Sequence, residues 1–299
     1  MLAFPFLALF SFNVSSQSQN FPSLTESVDP ALQQELEYRL ERLGLNAALK
    51  AKKLAVALVD ITDQHQPRVA SLNGDMMMYS ASLPKIAILL GAFQRIEEGR
   101  LKANKETLKD ITDMIRYSSN VAATRVLNMI GPFYLINLLQ SDRYHFYDAK
   151  KGGGLWVGKP YGKNPAYQRD PLFSLSHGAT ALQVARYYYL LDTGRLVSRE
   201  ASQAMKEILG NPGLHHKFVA GLEKIYPDTR IYRKSGTWQT YHSDSAIIER
   251  DGRTYIAVAL ANDPRGGDWM PKLIVEMDDL IFADQDNTQI AGIFRQRAQ

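Results

Sequence analysis

The hydrophobic positions change period along the chain, and the changes mark its elements. Over residues 29–49, Leu32, Leu36, Leu40 and Leu43 recur at helical spacing and predict an amphipathic helix. Residues 53–60 enclose the unbroken run Leu-Ala-Val-Ala-Leu-Val, which reads as a strand buried on both faces. Residues 67–72 supply a hairpin partner, with Asn73-Gly74 as a turn. After Lys85 the apolar residues Ile86, Leu89, Leu90, Phe93 and Ile96 return to the helical period, and Gly99 is the expected stop. Further helices are predicted over 106–117 and 121–130, broken at Ser118-Ser119-Asn120, and over 179–191 and 198–209. Residues 230–237, 245–250 and 254–261 read as strands, with Asp251-Gly252 as a turn. A helix over 269–282 closes the pattern, with Met270, Leu273, Ile274 and Met277 on its apolar face. Residues 143–176, rich in Gly, Tyr, Lys and Pro, carry no clear period; a loop of that length inside a compact domain is usually functional.

Strands therefore occur near both ends of the chain, with helices between them. The simplest packing is an α+β fold: a three-layer α/β/α sandwich around one antiparallel sheet, plus an inserted all-helical subdomain. The expected division is an α/β subdomain from residues 29–80 and 228–283 and a helical subdomain from 81–227. The two form one catalytic unit, with a cleft at their join.

Composition narrows the function. Hydrophobic residues make up 45% of the chain and charged ones 22%, which is ordinary for a globular protein. The net charge of +4 comes from 35 basic and 31 acidic residues mixed along the sequence, so no nucleic-acid stripe is implied. Cysteine is absent, which excludes disulfides, thiol catalysis and cysteine metal sites. Six histidines occur, none at metal-ligand spacing with acids, and no cofactor is implied. His215-His216 reads as a surface pair, His242 as a contact at the cleft rim, and Trp238 and Tyr241 as rim or core packing. Residues 1–14 form a short apolar run, followed by a polar Ser/Gln stretch. That pattern is read as an export signal over residues 1–16, cut near Ser16 or Gln17, although its start lacks Lys or Arg. A truncated start or a buried strand is the alternative. No other stretch is long enough to span a membrane, so a periplasmic or extracellular protein is expected.

The candidate chemistry centres on Ser82-Leu83-Pro84-Lys85. A hydroxyl and an amine stand three residues apart at the head of an apolar helix, on one face. Pro84 fits a first turn, where its missing N–H has no intrahelical partner. Ser82 is then placed where backbone N–H groups are free and a base is within reach, and a serine hydroxyl needs such a base. Alone, the pair is equally an N-cap and a solvated lysine. Ser118-Ser119-Asn120 sits between two helices and would serve either as caps or as a second hydroxyl and an amide facing the cleft. Lys234-Ser235-Gly236-Thr237 lies on a strand. Its glycine reads either as a bulge or as a place where another molecule approaches the backbone, with the lysine taking an anionic group.

Together and in this order, the three segments are the Ser-x-x-Lys, Ser-x-Asn and Lys-Ser-Gly set. The chain resembles the penicillin-recognising serine enzymes, namely class A β-lactamases and related small D,D-peptidases, from about residue 29 to 283. Ser119 stands where that family usually has Asp, and Ser235 where it commonly has Thr. The resemblance implies a serine hydrolase in which Ser82 is the acylated nucleophile and Lys85 its base. Ser118 would relay a proton to the leaving nitrogen, helped by the charge of Lys234. Asn120 would bind the substrate's amide side chain. Lys234, Ser235 and Thr237 would hold its carboxylate, with Gly236 between them on the strand. The backbone N–H groups of Ser82 and Thr237 would form the oxyanion hole.

One departure matters more than the others. Class A β-lactamases carry a deacylation glutamate on their Ω-loop, and the corresponding residues 159–170 contain none. Asp170 is the only acid there, and it reads either as a deacylation base or as a loop staple beside Arg169. A D,D-peptidase acting on peptidoglycan stem peptides and binding β-lactams is therefore the leading expectation, working as a monomer. The alternatives are a β-lactamase with a different deacylation base, a non-catalytic binding or sensor module, and an esterase or amidase for another acyl compound.

Overall fold

The computed structural model of the chain describes residues 21–296. The expected export signal at residues 1–16 lies outside the described residues.

In chain order, α1 spans Pro30–Arg42 and α2 spans Asn46–Lys50. The Asp29 carboxylate caps α1 by accepting from the backbone N–H of Ala31 and Leu32. The single helix expected over 29–49 is interrupted at Gly44, whose φ of +74° turns the chain in a way that favours glycine. Next come β1 (Leu54–Asp60), β2 (Arg68–Leu72) and the short β3 (Met78–Tyr79). The helical middle holds α3 (Lys85–Glu97), α4 (Lys105–Arg116), α5 (Asn120–Ile130) and α6 (Pro132–Gln140). The stretch expected as loop contains three short strands, β4 (Tyr147–Asp148), β5 (Gly153–Gly154) and β6 (Trp156–Val157), and β7 (His177–Ala179) follows directly after it. It is not a surface excursion, because Phe146, Tyr147, Leu155, Trp156 and Val157 are fully or almost fully buried. Strands of two or three residues are too short to show a period, so the sequence pattern missed them. Helices α7 (Ala181–Asp192), α8 (Arg199–Leu209) and α9 (Phe218–Leu222) follow. Then come β8 (Arg230–Trp238), β9 (Tyr241–Arg250), β10 (Arg253–Asn262) and α10 (Gly266–Gln296).

The main sheet has the order β2-β1-β10-β9-β8, so strands from both ends of the chain meet at its centre. There β1 pairs antiparallel with β10, from Leu54 opposite Ala261 to Asp60 opposite Tyr255. The run 54–59 is apolar on both faces because both faces are covered. Leu54, Val56 and Leu58 pack with Leu32, Leu36 and Leu40 of α1 and with Met270, Leu273 and Met277 of α10. Ala55, Ala57 and Val59 pack with the helical middle on the other side. This is an α+β fold with an antiparallel sheet, as expected. No single helix among the described residues is long and apolar enough to cross a membrane.

Edge strand β8 and the loop after β3 are held together by small groups. Ser243 on β9 donates its hydroxyl to Ser80 O (2.9 Å), and the Ser80 N–H donates to His177 O on β7 (3.1 Å). The chain entering Ser82 is thus fixed between the main sheet and the small β3-β7-β6 sheet. If α1 is a true core layer, Leu40→Ala should lower the unfolding free energy by about 2–5 kcal/mol in denaturant titration. A loss under about 1 kcal/mol would show that α1 is dispensable.

Candidate active site

Ser82 lies in a turn one step ahead of α3, not inside its first turn. Lys85 N–H donates to Ser82 O (3.3 Å) and Ile86 N–H to Leu83 O (3.2 Å), a tight three-residue repeat that leads into the helix at Lys85. Pro84 is the residue before the helix, with φ −64°. Ala81 carries the reversal that presents Ser82, at the left-handed φ of 51°. Ser82 is partly exposed, whereas Lys85 has no exposed surface.

The Lys85 ammonium is buried without a carboxylate. Its Nζ donates to Ser118 O (2.5 Å), to Asn120 Oδ1 (2.8 Å) and more weakly to Ser118 Oγ (3.3 Å). Both contacts depend on Ser118 being held at φ 56°, so that its carbonyl and hydroxyl face the same amine. Ser119, at the position where the family usually has Asp, caps α5 through its hydroxyl and the Ala122 N–H (3.2 Å). The ring of Tyr161 covers Lys85, with Nζ 4.5 Å from its centroid. Burial pushes the Lys85 amine down to about 7. A neutral Lys85 can keep its two N–H bonds to the two carbonyl oxygens and turn its lone pair toward a hydroxyl, as a general base requires.

Lys234 completes the chain of polar groups. Its Nζ donates to Ser118 Oγ (2.9 Å) and to Ser235 O (2.6 Å), so the Ser118 hydroxyl bridges the two lysines. Burial, together with the fields of Lys85 and Arg233, holds the Lys234 amine well below the ordinary lysine range. Gly236 lets β8 touch the turn that carries Ser82. A Cβ there would stand 2.4 Å from Ser80 O and 2.7 Å from Ser82 N. The backbone of Ser82 and that of strand β8 are therefore adjacent, the placement needed for two N–H groups to face one oxyanion.

A third lysine, not singled out from sequence, supports the same strand. Lys217 Nζ donates to Gly236 O (2.6 Å), Thr237 Oγ1 (2.9 Å) and Ser243 O (3.0 Å). Burial pushes it down to about 8, the field of Asp244 opposing and that of Arg233 adding. Asp244 is itself committed to Arg233 on the neighbouring strand (2.7 Å), with both side chains almost wholly enclosed. Lys217 follows a histidine pair in an irregular stretch, and only the folded chain brings it under Thr237.

Above this layer lies a cleft of about 540 Å³ bounded by Ser82, Asn120, Thr237 and residues 159–177. Trp238 and Tyr241 form its rim together with Tyr79, with ring centroids 5.1–6.2 Å apart. The structure joins Lys85, Ser118, Asn120 and Lys234 by hydrogen bonds and sets Ser82, Asn120 and Thr237 around one cleft, with Gly236 against the Ser82 backbone. Ser235 is buried on β8 opposite Asp244, and it is Thr237 that reaches the cleft. Asp170 does not join them. Its carboxylate is buried and accepts from the N–H groups of Leu172, Phe173 and Leu175 and from the Tyr147 hydroxyl, which is the loop-staple arrangement that the sequence left open beside a deacylation base. Arg169 does not pair with it and donates instead to Ser174 O (3.0 Å). His242 is not at the rim either; its ring rests against Gly266 and Gly267 at the start of α10. Of the histidine pair, His215 is exposed beside Glu223 (2.9 Å), but His216 is half-buried and burial and Arg233 push it down to about 4. Another residue missed from sequence is His177 on the cleft wall. It donates from Nε2 to Lys159 O (2.9 Å) and is kept neutral, at about 4, chiefly by burial.

The sequence profile described as the Beta-lactamase enzyme family matches residues 35–110 and 104–283. The chain belongs to that family. It is a serine hydrolase with the β-lactamase/transpeptidase-like fold, in agreement with the resemblance read from its three segments. Among solved structures, PBP-A is similar over 89% of this chain and 100% of its own, at 18% identity and a TM-score of 0.64. A mutant of PBP-A, described as an acyl-enzyme complex with penicillin G, covers 86% and 98% at 18% identity and a TM-score of 0.62. A beta lactamase from Xanthomonas campestris pv. campestris covers 84% and 98% at 16% identity and a TM-score of 0.64. These identities establish a shared fold. No curated protein sequence matches the chain.

The buried amine sets two pH dependences. Lys85 binds a proton below about 7 in the folded protein and below about 10.5 when unfolded, so the unfolded state holds more protons between those values and stability rises with pH there. Between pH 7 and 9, wild type should gain stability more steeply than Lys85→Met, by up to about 1.4 kcal/mol per pH unit in denaturant titrations. Equal slopes would mean that Lys85 keeps an ordinary amine. Gly236→Ala should separate β8 from Ser82 and cut acylation of Ser82 by at least about tenfold, as loss of oxyanion donors does. An unchanged rate would exclude that contact from the chemistry.

Proposed function

We propose that the protein is a penicillin-recognising acyl hydrolase of the D,D-peptidase type, with Ser82 as nucleophile. The observation that carries this reading is the absence, among the described residues, of any carboxylate lining the cleft beside Ser82. Acylation needs no carboxylate. Neutral Lys85 takes the Ser82 proton as Oγ bonds to the carbonyl carbon of a β-lactam or a D-Ala-D-Ala amide. The oxyanion is met by the N–H groups of Ser82 and Thr237. As the C–N bond breaks, the Ser118 hydroxyl gives its proton to the departing nitrogen and is reprotonated from Lys85, with Lys234 stabilising the charge on its oxygen. Asn120 orients Lys85 and faces the substrate's amide, while Thr237, supported by Lys217, and Lys234 favour a terminal carboxylate.

Hydrolysis of the ester is a separate demand, because a water must lose a proton as it attacks. Asp170 is saturated by loop donors, and His177 has one nitrogen bound to Lys159 O and the other 3.2 Å from the Ser176 hydroxyl. A β-lactam ester on Ser82 should therefore be long-lived, which suits a penicillin-binding peptidase better than a resistance enzyme. The proposed natural substrate is a peptidoglycan stem peptide. The apolar run at residues 1–14 supports action outside the cytoplasmic membrane.

Intact-protein mass spectrometry after brief exposure to benzylpenicillin tests the reading. Wild type should hold an adduct for minutes or longer, and Ser82→Ala should hold none. The acylation rate should rise with pH through an acid limb near 7, where Lys85 becomes neutral. Rapid drug hydrolysis without a lasting adduct would instead establish a β-lactamase, with Lys85 the base left to activate water. Neither adduct nor hydrolysis would overturn both.

A further inference from the structure

The cleft has two positive regions, and the reaction proposed above uses one. Lys234 and Lys217 back strand β8, where a carboxylate on the leaving side of the substrate would sit. The second region is on the opposite wall. Lys159, Lys163 and Arg169 all line the same cavity as Ser82. Among the described residues none of the three forms an ion pair, and Arg169 spends one N–H on Ser174 O (3.0 Å). No Asp or Glu lines the cleft to offset them. The one nearby acid, Asp170, turns its carboxylate into the loop and away from Arg169. The fields of Lys159 and Arg169 both bear on His177 in the cleft wall, so these two cations flank the same part of the cleft. Cations focused in a narrow cleft without counter-charges favour an anionic ligand.

We propose that residues Lys159, Lys163 and Arg169 form a second anion subsite, so that the preferred acyl donor is at least dianionic. One carboxylate lies on the leaving side at β8, and a second lies on the acyl side against the 159–169 wall. This rests on the penicillin-recognising reading. The ligand class is an acidic peptide whose acylating residue, or its neighbour, carries a free carboxylate. The rings of Tyr79, Trp238 and Tyr241 opposite take the uncharged part of the same acyl group. Arg169 is suited to a carboxylate because its planar fork keeps donors free beyond the one given to Ser174.

Benzylpenicillin and carbenicillin form the test pair, since they differ by one carboxylate on the acyl side chain. The second-order rate of Ser82 acylation is followed by intact mass for wild type, Arg169→Ala and Lys163→Ala. Lys163 is an exposed loop side chain, so its variant keeps the test open if Arg169→Ala disturbs the loop. Wild type should react about five- to tenfold faster with carbenicillin, the size expected of two or three partly exposed charge pairs. The ratio should fall toward one in both variants, and in wild type as salt is raised from about 0.05 to 0.3 M. Equal rates in wild type, or a carbenicillin advantage that survives both substitutions, would overturn the subsite and leave the acyl-hydrolase reading standing. Equilibrium binding of the two penicillins to Ser82→Ala, read by ligand-observed NMR, separates the two failures. If neither drug acylates wild type yet carbenicillin binds more tightly, and Arg169→Ala abolishes the difference, the subsite holds and the acylation reading falls. Equal binding in that case would overturn both.

Discussion

The site depends on two buried amines sharing one hydroxyl. Lys85 and Lys234 both donate to Ser118 Oγ, and no carboxylate among the described residues pairs with either. Burying an ammonium without a counter-ion is among the costliest arrangements in a protein, and it lowers the amine's affinity for its proton. That cost is what makes a lysine useful as a base at neutral pH. The surrounding structure exists to maintain it. Ser118 is held in a left-handed conformation, Asn120 presents a carbonyl oxygen, and Tyr161 covers the amine with a ring face. Each such non-glycine backbone conformation costs on the order of 1 kcal/mol or more, which packing elsewhere must offset.

The large core is where the offset resides. The central strands β1 and β10 are apolar on both faces and sandwiched between α1 and α10 on one side and the helical middle on the other. Edge strand β8 takes the opposite role. It carries Lys234, Gly236 and Thr237 and has β9 on one side only, so its other edge is open to a substrate. The stable centre and the reactive edge belong to one sheet. The Arg233–Asp244 pair and Lys217 tie β8 to β9 and to the segment before α9, close to where the chemistry is placed.

The loop between α6 and α7 separates this chain from a hydrolase with a carboxylate base. Its one acid in residues 159–170 is used to hold the loop's own backbone, its tyrosine roofs the lysine, and its cations face the cleft. That wall presents cations and, among the described residues, no carboxylate to the cleft.

The amino-acid order alone determined the sandwich and the family resemblance. The 54–59 run demanded cover on both faces. The spacing of Ser82 and Lys85 at a helix start, followed by Ser118-Ser119-Asn120 and Lys234-Ser235-Gly236-Thr237, carried the resemblance without coordinates, because periodicity and short motifs are local properties of the chain. Tertiary structure decided what no local pattern encodes. Asp170 beside Arg169 read as a surface pair, a loop staple or a base, and only the folded loop, whose Leu172, Phe173 and Leu175 N–H groups meet its carboxylate, selects the staple. Lys217, Tyr161 and His177 had no signal, since each acts on residues 18 to 80 positions away. The pKa of Lys85 was equally out of reach of the sequence, because it is set by which groups surround the amine, and that is a property of the packed interior.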